Sequence, residues 1–340
     1  MSISHFRKYF FTTSFFLMLI GNICAQNPGY TVENISLPTE LRDPNNQFSG
    51  LQVLNGSLYF LAESRLHEKQ EAKMYAVPLA DIELHRADSS HPLPYKKHPI
   101  IGLDILRNKM TAKGQSYEGL EACILDGANV YLSVETNTPS PFCYLLKGQF
   151  LGDDIILDTN IMLPVRKPVK PSGERIYNAG FEAVQLYKNK LYAFFEYNYF
   201  DKSYVYTFDN NLNANSLDSV KMDKLPFRIT DITQTGKKSF TAINFFYKGE
   251  GEDSVYRVKP DDKNYTLTRD SSGFASYCRL ITLKKKGKGF SWKPLWDFPA
   301  SYMPFNWEGV AAYNDGYFLM NDKYTTARPY YSALLYVKKL

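Results

Sequence analysis

The chain has 340 residues, 44% hydrophobic, 15% aromatic and 22% charged, with 26 Tyr, 23 Phe and a formal charge of +5. That composition supplies enough apolar side chain for a large core and excludes a disordered or low-complexity protein. Its near-neutral balance offers no electrostatic footprint for nucleic acid, so no nucleic-acid partner is expected.

The first residues, MSISHFRKYFFTTSFFLMLIGNICAQ, set Arg7 and Lys8 before an apolar run from Phe10 to Ile20. The run is too short to span a bilayer and small Ala25 follows it. A signal peptide over residues 1–25, cleaved after Ala25, and a secreted or periplasmic mature protein are therefore expected. A lipid-modified Cys24 is the competing reading, but Ile23 stands where lipoprotein signals carry a small residue. Removing residues 1–25 takes away Arg7, Lys8 and no acid, so the charge falls from +5 to +3. No later stretch is apolar and long enough for a membrane helix. Residues 26–340 read as one domain and a monomer.

Three strand-like signatures recur along the chain. The first reads FSGLQV from Phe48, YEGLEA from Tyr117, FEAVQL from Phe181, TDITQT from Thr230 and WEGVAA from Trp307. The second follows at a short interval as LYFLAE, VYLSVE, LYAFFE, SFTAIN and GYFLMN. The third begins at Lys73, Phe142, Ser203, Ser276 and Ser332. Turn pairs such as Asn55-Gly56 and Asp126-Gly127 between β-rich runs mark antiparallel meanders. A weaker fourth strand follows in HPIIGLDI, DIILDTNI and FSWKPLWDF.

Four-stranded meanders repeated around an axis are the blades of a β-propeller, so an all-β fold with five clear blades is expected, a sixth being open between Ile232 and Trp307. After SALLYVKK the final blade lacks a fourth strand, while YTVENISLP (Tyr30 to Pro38) lacks a partner. The N-terminal strand should therefore close the ring. The charged, turn-rich segment from Tyr247 to Gly273 interrupts a blade between its second and third strands, as either a solvated excursion or a lid over the ring's mouth.

Where inner strands crowd the axis, small Gly50, Gly119, Ala183 and Gly309 are expected on steric grounds. The residues before them, Glu118, Glu182, Asp231 and Glu308, with Ser49 in the fifth copy, should face one axial region. A second column, Glu63, Glu135, Glu196, Asn244 and Asn321 with adjacent Asp322, should face the same mouth. So many carboxylates at low dielectric require a cation, basic side chains or shared protons. Oxygen-only donors suit Ca²⁺ or Mg²⁺, which makes Glu63, Glu118, Glu135, Glu182, Glu196, Asp231, Glu308 and Asp322 candidate metal ligands, with Glu118, Glu182 and Glu308 candidate catalytic groups. Arg42, Arg65, Arg175, Arg228 and Lys323 could instead pair with them.

Other chemistry is weakly indicated. Cys123, Cys143 and Cys278 remain after signal removal, an odd number at wide spacing; buried thiols are expected, with a Cys123 to Cys143 bridge possible. His67, His85, His91 and His98 crowd one segment without ligand spacing, and most read as surface residues. No G-x-S-x-G elbow or Lys-bearing phosphate loop is present. The basic stretches RKPVKPSGER (Arg166 to Arg175) and LKKKGKGF (Leu283 to Phe290) read as solvated turns rather than anion sites.

NAGFEAVQLYKNKLYAFFE and FNWEGVAAYNDGYFLMND resemble the aromatic-Glu-Gly motif, followed by a strand ending in Asp or Asn, of the extracellular phytase-like propellers, the family of "esterase-like activity of phytase". The resemblance runs over most of the mature chain as a repeat pattern. It implies a cation-binding mouth at Glu118, Glu182 and Glu308 with Glu135, Glu196 and Asp322, and hydrolysis of phosphoesters or carboxyesters. Ser49, the TDITQT copy and Ala183 depart from the motif. The alternative is a non-catalytic propeller that uses the same mouth for a small-molecule or extracellular protein ligand.

Overall fold

The computed structural model describes residues 29–64, 71–249, 251–325 and 332–340. The signal segment, Arg65 and His67 lie outside the described residues, as does the side chain of Lys323.

Strand β1 (Tyr30–Ile35) and the short helix α1 (Thr39–Arg42) lead into the first meander, β2 (Phe48–Leu54), β3 (Ser57–Ala62), β4 (Lys73–Pro78) and β5 (Lys96–Ile101). Helix α2 (Leu79–Ala87) joins β4 to β5, and α3 (Leu103–Thr111) leads onward; neither was legible as a helix in the repeat pattern. The second meander is β6 (Tyr117–Asp126), β7 (Asn129–Thr136), β8 (Phe142–Leu151) and β9 (Asp154–Arg166), and the third β10 (Ala183–Tyr187), β11 (Lys190–Phe194), β12 (Ser203–Asp209) and β13 (Asp218–Met222). The fourth begins with β14 (Arg228–Gly236) and β15 (Ser239–Phe246). It is interrupted by a segment holding the two-residue strands β16 (Arg269–Asp270) and β17 (Gly273–Phe274), and resumes as β18 (Tyr277–Lys286) and β19 (Gly289–Asp297). The last comprises β20 (Phe305–Tyr313), β21 (Gly316–Thr325) and β22 (Leu334–Lys339).

Strand β1 pairs antiparallel with β22, Tyr30 opposite Lys339 through Ile35 opposite Leu334. The N-terminal strand thus completes the fifth blade, as expected. The inner strands β2, β6, β10, β14 and β20 contact one another in a closed ring. The stretch between Ile232 and Trp307 holds one interrupted blade, so the described residues form five blades and no sixth. Parallel pairing of outer strands joins blades one and two through β5 and β9, and blades three and four through β13 and β19.

Alternation along each strand sends successive side chains to opposite faces, and both faces are covered by neighbouring blades. Phe60 packs with Phe318, Met320 and Tyr336 of the fifth blade, whereas Leu61 packs with Leu120, Leu132 and Val134 of the second. Five buried clusters result, one between each successive pair of blades.

Candidate functional site

The inner hairpins fix which residues are equivalent. Their last pairs before the turn are Leu54–Ser57, Asp126–Asn129, Tyr187–Lys190, Gly236–Ser239 and Tyr313–Gly316. Counting back from these turns aligns Phe48-Ser49-Gly50 with Leu120-Glu121-Ala122, Phe181-Glu182-Ala183, Ile229-Thr230-Asp231 and Trp307-Glu308-Gly309. Hydrogen bonds confirm the alignment: Ser49 Oγ donates to Leu120 O at 2.5 Å, and Thr230 Oγ1 to Trp307 O at 2.6 Å.

Two expectations change as a result. Strand β6 has a second register shift, between Leu120 and Ala122, in addition to the one at Glu118. The extra residue moves the motif three positions along, so Glu121 rather than Glu118 holds the axial place. Glu118 is half-buried at the upstream bulge, outside the three-carboxylate group described below. In β14 the shift falls between Ile229 and Asp231, so Thr230 aligns with the glutamates and Asp231 with the small residues. Bulges re-aim side chains in this manner, and a motif matched without register misses them. In the second column, Asn244 and Asn321 sit opposite Ile229 and Trp307, the level of Ala62, one residue short of the level held by Glu63, Glu135, Glu196 and Asp322.

Carboxylate oxygens of Glu121, Glu135 and Glu182 all lie within 4.8 Å of one another. Glu121, Glu135, Glu182 and Glu196 are only 3, 5, 7 and 1% exposed, so their charges are felt at low dielectric. Two glycines make room for them. A Cβ on Gly119 would abut Glu121 Oε1 and lie 2.6 Å from Glu63 Cγ, and one on Gly180 would lie 2.9 Å from Glu182 Oε1. Glu63 is thereby placed beside Glu121, at the edge of the group.

Burial pushes the Glu182 carboxyl well above its usual range, and Glu196, Glu135 and Glu308 raise it further, against Arg228. Glu196 is raised to about 7 by burial, which Arg228 opposes and Glu135 reinforces. Arg228 Nη1 stands 3.3 Å from Glu196 Oε2, and the Gly180 amide donates to Glu196 Oε1 at 3.2 Å. Among the described basic residues that the sequence suggests, Arg228 meets the group.

The segment from Tyr247 to Gly273 covers this end of the ring. Its Tyr256 is buried beside Glu196 and Arg228, and its hydroxyl lies 3.1 Å from the carbonyl oxygens of Tyr177 and Asn178. Tyr256 and Val258 join the cluster of Phe181, Phe195, Phe227 and Tyr277. Asn264 Oδ1 accepts from Arg279 Nη1 at 3.2 Å, and Asp262 Oδ2 from the Tyr199 hydroxyl at 2.7 Å. The segment packs inward through Tyr256, Val258, Asn264 and Thr268 and is exposed over much of its remaining length.

Glu308 and Asp322 form a neighbouring acidic pair bridged by Asn306 Nδ2, which donates to Glu308 Oε1 and, at 3.1 Å, to Asp322 Oδ2. Asp231 is committed to backbone instead: Oδ2 accepts from Val310 N at 2.7 Å and Leu51 N at 3.3 Å, and Oδ1 from Ile232 N at 2.7 Å. The first two bonds tie β14 to β20 and β2, and the third stays within β14.

Cys123, Cys143 and Cys278 are separate buried thiols, so the possible Cys123 to Cys143 bridge is absent. Burial pushes the Cys143 thiol up to about 12, which makes it inert. His85 and His98 are buried, contrary to a surface reading; Nδ1 of each hydrogen-bonds a backbone carbonyl, of His91 at 2.6 Å and of Asp153 at 2.8 Å. Among the described residues no helix is long and apolar enough to cross a membrane.

No family model matches the chain, and no curated protein does. Among solved structures it is similar to a putative oxidoreductase (glucose dehydrogenase) from Thermus thermophilus, at 12% identity and TM-score 0.46 over 91% of this chain and 100% of that one. The GH43_1 enzyme from Xanthomonas citri complexed with xylotriose follows at 8% identity and TM-score 0.48, over 90% of each chain. The Trypanosoma rangeli sialidase in complex with the inhibitor DANA has 11% identity and TM-score 0.44, over 85% of this chain and 44% of that one. The site itself is therefore read from its own residues.

Proposed function

We propose that the axial mouth is a divalent-cation site, held by Glu121, Glu135 and Glu182, in a secreted hydrolase of phosphoesters or carboxyesters related to the phytase-like propellers. The observation that carries this reading is the convergence within 4.8 Å of three buried carboxylates, from β6, β7 and the residue that leads into β10. Oxygens bound at 2.3–2.6 Å to Ca²⁺ can stand up to about 5 Å apart, whereas Mg²⁺ at 2.0–2.1 Å admits only about 4.2 Å. Three carboxylate oxygens this close can converge on one hard cation with small side-chain adjustments, and an oxygen-only set suits Ca²⁺ or Mg²⁺. Glu63 borders the group beside Gly119, and Glu196 is held by Arg228, with Tyr256 beside it.

A bound ion would supply Lewis-acid polarisation and a more acidic water. The chain's own contribution is a desolvated mouth in which Glu196, with its proton affinity raised to about 7, can hold or release a proton near neutral pH. Tyr256 and the segment around it exclude bulk water from that side.

Deep burial of all four acids favours a second reading, a non-catalytic propeller that uses the ion to brace a ligand-binding mouth. Ca²⁺-dependent melting and a panel of model phosphoesters and carboxyesters, assayed with and without chelator, separate the two. Ca²⁺-dependent turnover supports the hydrolase. Ca²⁺-raised melting without turnover leaves the binding propeller, and melting indifferent to ion and chelator overturns the cation site.

A further inference from the structure

The inner hairpin turns lie on the face opposite the acidic mouth, and those of blades three and four bring lysines together there. Lys188 sits in the β10–β11 turn and Lys190 at the start of β11; Lys238 lies in the β14–β15 turn, Lys285 near the end of β18, and Lys288 in the turn of the outer β18–β19 hairpin, which opens on the same face. Backbone geometry fixes these positions: Lys188 and Asn189 adopt φ of 52° and 57°, and Gly287 a φ of 53°. The five lysines line one pocket of about 400 Å³ with Tyr187, Tyr192, Thr207 and Val220.

We propose that this pocket is an anion site whose ligand is a small molecule carrying two or more phosphate or sulfate groups. Its size suits a monosaccharide-sized ligand. The pocket's one carboxylate, Asp218, is exposed and accepts the Ser219 amide at 2.8 Å. Among the described residues none of the five lysines forms an ion pair, which sets five ammonium groups against one acid. Lys285 is held in place, 5.7 Å above the rings of Tyr192 and Phe290, with Nζ donating to Gly287 O at 3.2 Å. Burial, then Lys188, Lys190 and Lys238, press its proton affinity down, a crowding that a bound oxyanion would relieve. Compact ammonium groups on three separate turns suit several separated oxyanion groups better than one planar carboxylate. Sequence alone separates these residues by almost a hundred positions, which is why LKKKGKGF read as a solvated turn.

The test is titration calorimetry of the mature chain at low salt in the presence of chelator, so that binding through a cation at the mouth is silent. The probes are pyrophosphate and a disulfated monosaccharide. Saturable binding of either supports the site, the tighter probe identifying phosphate or sulfate as the natural group. Lys188→Gln/Lys238→Gln/Lys285→Gln should weaken it about tenfold or more, and added salt should weaken it further. The charge-matched Lys113→Gln/Lys202→Gln/Lys259→Gln, at exposed positions elsewhere, should retain it. If the triple variant melts early, Lys238→Gln alone, in an exposed turn, reads the same contrast. Failure of both probes to saturate, or equal weakening in the control variant, overturns the site.

Discussion

The Asp231 carboxylate accepts the backbone N–H of Val310 at 2.7 Å, so an acid from the fourth blade secures the inner strand of the fifth. The same oxygen takes Leu51 N at 3.3 Å, and Oδ1 takes Ile232 N. The equivalent position is Gly50, Ala122, Ala183 or Gly309 in the other blades, so alanine is tolerated there sterically. Asp231→Ala therefore isolates the hydrogen bonds. Leaving three buried amides unpaired should destabilise the protein by about 3 to 5 kcal/mol. Equilibrium denaturation measures it; a loss below about 1 kcal/mol, the scale of one ordinary hydrogen bond, contradicts the tie.

Ion-free protein should lose stability between about pH 5 and 8. Glu182 and Glu196 have folded-state proton affinities raised above the ordinary 4.5, Glu196 to about 7, chiefly by burial. A carboxyl raised on folding binds more proton in the folded state, so its contribution is full below the unfolded value and is lost as pH rises through the folded one. Melting in chelator should thus occur at lower temperature at pH 8 than at pH 5.5. Ca²⁺ should narrow the difference by taking the protons' place. A melting temperature that stays level or climbs with pH in chelator would count against a coupled, uncompensated acid group.

Ring closure predicts the effect of an N-terminal truncation. Six residues of β1 cover the edge of β22, and Ile35 is buried in the cluster shared by blades one and five. A chain beginning at Thr39 loses that ladder and should be destabilised by several kcal/mol, at about 1 kcal/mol per hydrogen bond plus the apolar area of Ile35. It should also associate through the bare β22 edge. Equal melting temperatures for this chain and one beginning at Gln26 would refute closure by β1.

The ring was legible because its signals are local. Asn55-Gly56 and Asp126-Gly127 announce their hairpins, and Tyr30 to Pro38 announces itself by having no partner. The site was legible only in part. Glu135 lies in β7 and Glu182 and Glu196 flank β10 and β11, in hairpins where motif and register agree, whereas Glu121 is hidden by an upstream YEG that copies the motif without occupying its place. A signal for Glu121 did exist: the axial residue stands five positions before the last paired residue of the hairpin in Ser49, Glu121, Glu182 and Glu308 alike. No comparable signal marks Tyr256, whose place over Glu196 depends on how a long insertion folds back.

The two glutamates of β6 provide the sharpest test of the cation site, because they differ by three residues and the motif alone points to Glu118. Glu121 shares the group with Glu135 and Glu182, whereas Glu118 lies outside it. If Ca²⁺ binds the folded ring and not the unfolded chain, a hundredfold excess over its dissociation constant stabilises by about 2.7 kcal/mol. Glu121→Gln keeps the shape and removes one ligand charge, so that gain should largely vanish. Without ion the same change relieves repulsion among Glu121, Glu135 and Glu182, so in chelator the variant should melt above the unaltered protein. Glu118→Gln should leave the Ca²⁺ response intact. Calorimetry of the two variants with Ca²⁺ and with chelator decides. Loss of the response in Glu118→Gln but not in Glu121→Gln would return the site to the motif's own placement, and an unchanged response in both would remove β6 from the cation site.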